Sequence, residues 1–133
     1  MELAVAARLA ASFQVLTLEI DALSGSDKLT ETLFVNFQEN EEIKDIYSQL
    51  HANVHSASSY ELHPHLSLLY QKLTAQERDL LIEETAIGLQ SIQFNELWAV
   101  AIPEQLSSLD DFRGWQTLLT CRLAPRKNVD TIY

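Results

Sequence analysis

The stretch Gln14-Val15-Leu16-Thr17-Leu18-Glu19-Ile20-Asp21-Ala22 decides the fold class. Leu16, Leu18 and Ile20 fall on one parity, while Thr17, Glu19 and Asp21 fall on the other. Successive side chains of an extended chain leave on opposite sides, so this alternation predicts a half-buried strand. Ser24-Gly25-Ser26-Asp27 follows with turn chemistry. A second alternating run then sets Leu33, Val35 and Phe37 on a common face. Two such runs joined by a turn predict a β-hairpin.

Upstream of the hairpin, residues 2–12 are rich in alanine and leucine and read as a helix. Downstream, Ile43, Ile46, Tyr47, Leu50 and Val54 recur at helical spacing, which predicts an amphipathic helix over residues 40–54. Residues 56–60 read as a polar loop and residues 65–70 as a short apolar strand. Thr74-Ala75-Gln76-Glu77 has the form of a capping box, with hydroxyl and carboxylate satisfying opposite backbone donors at a helix start. That helix is expected to end near Gly88. Ile92, Phe94, Trp98, Val100 and Ile102 share one parity of a single long strand that Pro103 stops. A loop or short helix leads to a last strand over residues 115–123. The order αββαβαβ(α)β predicts an α+β fold, a mainly antiparallel sheet with packed helices. Nothing in the chain reads as a linker or a repeat, so residues 1–133 are expected to form one domain.

Composition narrows the partners. Apolar residues make up 47% of the chain, which sets it outside the disordered class. Nineteen acids against nine bases give a formal charge of −10, and such a surface repels a polyphosphate chain. Extended nucleic acid is therefore not an expected partner, and the basic cluster of residues 122–127 is too short to reverse this. A small phosphorylated ligand in a local cleft remains compatible, because short-range donors outweigh the mean field. No apolar run approaches the ~20 residues that span a bilayer, so no membrane role is expected. Glu2 and Arg8 break the pattern of a secretory signal, and Cys121 is alone. Both point to a reducing cytoplasm. Cys121 itself reads as a small buried hydrophobe on the last strand.

The chemistry is concentrated in Tyr60-Glu61-Leu62-His63-Pro64-His65-Leu66-Ser67-Leu68-Leu69-Tyr70. On an extended strand His65 and Ser67 share a face, while Leu66 and Leu68 point the other way, into a core. An imidazole and a hydroxyl side by side can hold one phosphoryl group. The imidazole moves a proton near neutral pH, and the hydroxyl hydrogen-bonds a nonbridging oxygen. His63 precedes His65 by two residues, so it shares that face or adds a nearby base.

The string Pro64-His65-Leu66-Ser67-Leu68-Leu69-Tyr70 resembles the second His-x-Ser/Thr motif of the cyclic-phosphodiesterase-like branch of the two-histidine phosphoesterase superfamily. The capped helix, long strand, loop and final strand that follow are similar to the C-terminal half of that family. The resemblance implies a bilobal fold in which each lobe brings one such motif to a central cleft. It also implies metal-free, cofactor-free opening of a 2′,3′-cyclic phosphate on a nucleotide or RNA end. One histidine would act as general base and the other as general acid. On this chain it assigns His65 the proton transfer, Ser67 the phosphate contact, and Tyr60, Tyr70 and His63 the ligand's surroundings.

The chain departs from the family in one respect: of His51, His55, His63 and His65, only His65 has Ser or Thr two residues later. The first motif, with the opening elements that carry it, is absent. Three explanations stand: a fragment, a non-catalytic half-site scaffold, or a homodimer in which each copy supplies one motif. Trp98 and Trp115 read as core or interface anchors. Tyr70 reads equally as core or rim packing. Glu104, Asp110 and Asp111 lack a histidine at ligand spacing and read as solvated charges, so no metal is expected.

Overall fold

The computed structural model describes residues 3–53, 61–101 and 115–126. Val54, His55, the loop 56–60 with Tyr60, Pro103, Glu104, Asp110, Asp111 and the rest of the segment 102–114 lie outside the described residues. The expectations placed on them go no further.

Helix α1, Leu3–Ala10, ends in a tight turn where Phe13 N–H donates to Ala10 O at 3.1 Å. The turn drops Ala10 and Phe13 into the core, 0% and 5% exposed. Strand β1, Leu16–Gly25, and strand β2, Leu33–Phe37, form the antiparallel hairpin that the alternation predicts. Leu16, Leu18, Leu33, Phe34 and Val35 are all buried. Each large apolar side chain removed from water there contributes about 1.5–3 kcal/mol.

Strand β1 runs to Gly25, past the expected start of the turn, and a 3-10 helix, Leu29–Glu31, fills the connection. The pairing slips inside the hairpin: Ile20 faces Phe37, but Leu23 faces Val35, so β1 takes three steps where β2 takes two. Such a β-bulge flips parity along the bulged strand. Its effect here is to put Ser24 opposite Phe34 rather than on the apolar face.

Helix α2, Glu41–Asn53, opens with Ile43 N–H donating to Asn40 Oδ1 at 2.9 Å. Its Ile46 and Leu50 pack toward Ala10, Phe13 and Leu123. Strand β3, His65–Leu69, pairs antiparallel with β2. Helix α3, Ala75–Glu84, starts with the capping box in place: Glu77 N–H donates to Thr74 Oγ1 at 3.1 Å, and Thr74 N–H to Glu77 Oε1 at 3.3 Å. It stops at Glu84, short of Gly88, because the β-branched Thr85 takes an extended conformation.

The long strand expected over residues 92–102 is two strands. β4, Ser91–Phe94, pairs with β1, while β5, Glu96–Ala101, pairs with β6, Gln116–Arg122. The chain changes sheets at Asn95, whose carbonyl accepts from Leu123 N–H at 2.9 Å. Parity flips across that step. Leu97 packs against the core, whereas Trp98 is 55% exposed and its indole N–H donates to Glu96 Oε2 at 2.7 Å. Trp98 is therefore no core anchor. Cys121 packs against the cluster of Ala10, Phe13 and Leu123 on the last strand, as expected, but it is half-buried rather than buried.

The architecture is α+β, with a four-stranded sheet in the order β3-β2-β1-β4 and the β5-β6 pair. All named strand pairs are antiparallel. Among the described residues no helix is long and apolar enough to cross a membrane. Among the described residues strand β3, which carries the His-x-Ser motif, is an edge of the larger sheet.

Candidate functional site

Strand order determines which side chains meet at the motif. β3 pairs with β2 in the register Asn36↔His65, Val35↔Leu66 and Phe34↔Ser67. Directly paired residues leave the sheet on the same side, so Phe34, Asn36, His65 and Ser67 share one face. The bulge in β1 adds Ser24 to it. His65 and Ser67 are half-buried on that face, as expected. Leu66 and Leu68 point away from it, as expected, but are 37% and 46% exposed. They are not core residues, because an edge strand has a neighbour on one side only.

Phe34, 5% exposed, forms the floor. Its ring meets His65 edge-on at 5.5 Å and His63 edge-on at 5.8 Å. The two imidazoles lie 5.3 Å apart, tilted by 57°. Pro64 thus leaves His63 beside its neighbour. A buried aromatic under both rings restricts where they can move.

Hydrogen bonds set the tautomers. His65 Nδ1 lies 2.8 Å from the His63 carbonyl oxygen, which only accepts, so Nδ1–H is the donor. The Nε2 atom of neutral His65 then carries a lone pair. Asn36 Nδ2–H donates to Ser24 Oγ at 2.6 Å, which turns Asn36 Oδ1 toward His63 Nε2 at 3.1 Å. His63 donates from Nε2 and keeps its lone pair on Nδ1.

Glu31 completes the group. It ends the 3-10 helix, where its N–H donates to Lys28 O at 2.9 Å and its carbonyl accepts from Ser26 Oγ at 2.7 Å. Its Oε1 lies 3.8 Å from His65 Nε2, and the two side chains are 20% and 22% exposed. A carboxylate oxygen and an imidazole lone pair facing each other in a half-buried place repel, unless a proton or a cation stands between them. The facing pair of Glu31 Oε1 and His65 Nε2 is the chemical signature of this site.

Tyr70, just past β3, meets Trp115 edge-on at 6.4 Å, which is the packing role weighed for it. Glu31, Asn36 and Phe34 were not foreseen. The parity of β2 carries a signal for Asn36, the one polar residue between Leu33 and Phe37, but no spacing rule links Glu31 to His65. Beyond the motif face, an apolar cavity of about 220 Å³ is lined by Leu16, Phe37 and Phe94, with Pro64 and His65 in its wall. No family model matches the chain, and no curated protein matches it.

Proposed function

We propose that this chain is a two-histidine-phosphoesterase-like protein that takes the 2′,3′-cyclic phosphate of a nucleotide or RNA end. His65 would carry a proton transfer, and Ser67 would hold a nonbridging oxygen. The observation that supports this reading is the shared half-buried face of His65 and Ser67, with the His65 ring set between the His63 carbonyl and the Glu31 carboxylate. The Glu31 carboxylate beside Nε2 is placed to accept from that nitrogen or to orient a group bound to it. The Phe34 floor fixes the ring, as a positioned proton-transfer group requires.

Attack and departure at phosphorus are in line, so base and acid act from opposite sides. His63 and His65 rise from one strand end, and the reading therefore draws the opposite group from elsewhere. A second copy of the chain is the source it names. β3 is a sheet edge with Leu66 and Leu68 exposed, and such an edge pairs readily with another chain. The reading also puts the protein in a reducing cytoplasm, for which the single cysteine is the support.

The test is turnover of 2′,3′-cyclic AMP, GMP, CMP and UMP, followed by 31P NMR alongside ligand titration of the same samples. Turnover by wild type that Ser67→Ala weakens supports the enzyme. Ligand binding without turnover replaces it with the half-site scaffold, which the lone His-x-Ser motif favours. Neither binding nor turnover ends both.

A further inference from the structure

Glu31, His63 and His65 each place one ligand atom within 4.8 Å of the other two. From this grouping we infer that the chain holds a divalent metal site of the two-histidine, one-carboxylate type, suited to Zn2+.

Geometry comes first. Tetrahedral zinc with bonds of about 2.1 Å sets its ligand atoms about 3.4 Å apart. His65 Nε2 and Glu31 Oε1, at 3.8 Å, are already within half an ångström of that spacing. The His63 ligand atom lies within 4.8 Å of both. Glu31 is anchored through its own backbone, so the carboxylate is presented by a fixed turn.

A histidine that ligates a metal donates its other ring N–H to a carbonyl or an amide oxygen, which fixes the tautomer and aims the lone pair. Both imidazoles here are held in that way. His65 Nδ1–H is taken by the His63 carbonyl, and His63 Nε2–H by Asn36 Oδ1, itself oriented by Ser24 Oγ. What remains for a ligand is Nε2 of one ring, Nδ1 of the other and a carboxylate oxygen. All three are acceptors, and a cation would relieve the repulsion between the Glu31 oxygen and the His65 lone pair, which lie 3.8 Å apart. This donor set is borderline in softness, which favours Zn2+ over Mg2+ or Ca2+. Three protein ligands leave a fourth position open.

The inference shares His65 with the proposed function but does not depend on it. Zinc on Nε2 takes the lone pair that proton transfer uses, so the two occupancies exclude each other. Binding is therefore measured without substrate, and its failure leaves the proton-transfer reading intact.

The experiment is calorimetric titration of Zn2+ into the chelator-stripped full chain at pH 7.5, with Co2+ absorption as a second readout. We expect one ion per chain with Kd below about 10 μM, and d–d bands of a tetrahedral N,O site. Glu31→Gln and His63→Ala should each weaken binding at least tenfold, with circular dichroism confirming that they fold. Asn36→Ala, which touches no metal, should weaken it by about 10- to 100-fold through the loose His63 ring. Wild type that binds no Zn2+ at 100 μM overturns the inference. So does equal binding by the folded variants, which would place the ion elsewhere on the chain.

Discussion

Phe34 and His65 sit on adjacent strands with their rings 5.5 Å apart and nearly perpendicular, and Phe34 holds His63 in the same way at 5.8 Å. One buried aromatic therefore supports both imidazoles of the site. Phe34→Ala should cost about 3–5 kcal/mol through the cavity it leaves. Phe34→Leu should cost less while still freeing both rings. Urea unfolding gives the two stabilities, and histidine NMR line shapes report the rings. A stable Phe34→Leu protein with unchanged histidine signals would show that the floor does not position them.

Gly25 permits the close approach of α3. A Cβ built there would lie 2.6 Å from Arg78 Cδ and 2.7 Å from the Thr32 carbonyl oxygen. The Arg78 guanidinium spans this turn, donating to Ser26 O at 3.1 Å and Asp27 Oδ1 at 2.8 Å. Gly25→Ala should therefore destabilise the chain by about 1–3 kcal/mol, the usual cost of overpacking. It should also disturb Glu31, which neighbours Thr32. Thermal unfolding measures the first effect, and an unchanged melting temperature would rule it out.

The capping box at α3 makes a local prediction. Removing the Thr74 hydroxyl leaves the Glu77 N–H without its cap, so Thr74→Ala should cost about 0.5–2 kcal/mol. Thr74→Ser should recover most of that loss in the same chemical denaturation series. Equal losses in both variants would assign the effect to packing by the Thr74 methyl group.

Edge-to-edge pairing of β3 predicts a dimer that depends on Leu66 and Leu68. Light scattering across a concentration series should show the doubled mass for wild type. Leu68→Lys, a charge on an exposed edge, should shift it to the single-chain mass with the fold intact. A wild type that stays at 15.1 kDa at every concentration removes the second copy as a source of the opposite group.

The parts of the fold that were legible are those fixed by neighbours in sequence. Alternation in Leu16, Leu18 and Ile20 located β1, and helical spacing of Ile43, Ile46 and Leu50 located α2. The Thr74 cap is likewise contained in four residues. The illegible parts depend on strand order. Ile92, Phe94, Trp98, Val100 and Ile102 keep one parity across the polar pair Asn95-Glu96, so alternation alone reads a single strand where the chain in fact leaves one sheet for another. Leu66 and Leu68 look like core residues until β3 is known to be an edge. The bulge that turns Ser24 toward Asn36 has no signature in the alternation. His65 and Ser67 were visible as a motif and His63 as its neighbour. Glu31 reaches them only through the tertiary placement of the 3-10 turn, and local patterns do not encode it.

The most direct test of the proposed function is the initial rate of 2′,3′-cyclic nucleotide hydrolysis at pH 7 in excess chelator, with wild type and His65→Ala purified identically. The chelator keeps any metal off His65, so the rate reports proton transfer alone. The account predicts measurable wild-type turnover and a fall of about 100-fold or more in the variant, the loss expected when a general acid or base is removed. Equal rates in the two proteins, or none in either, would contradict it.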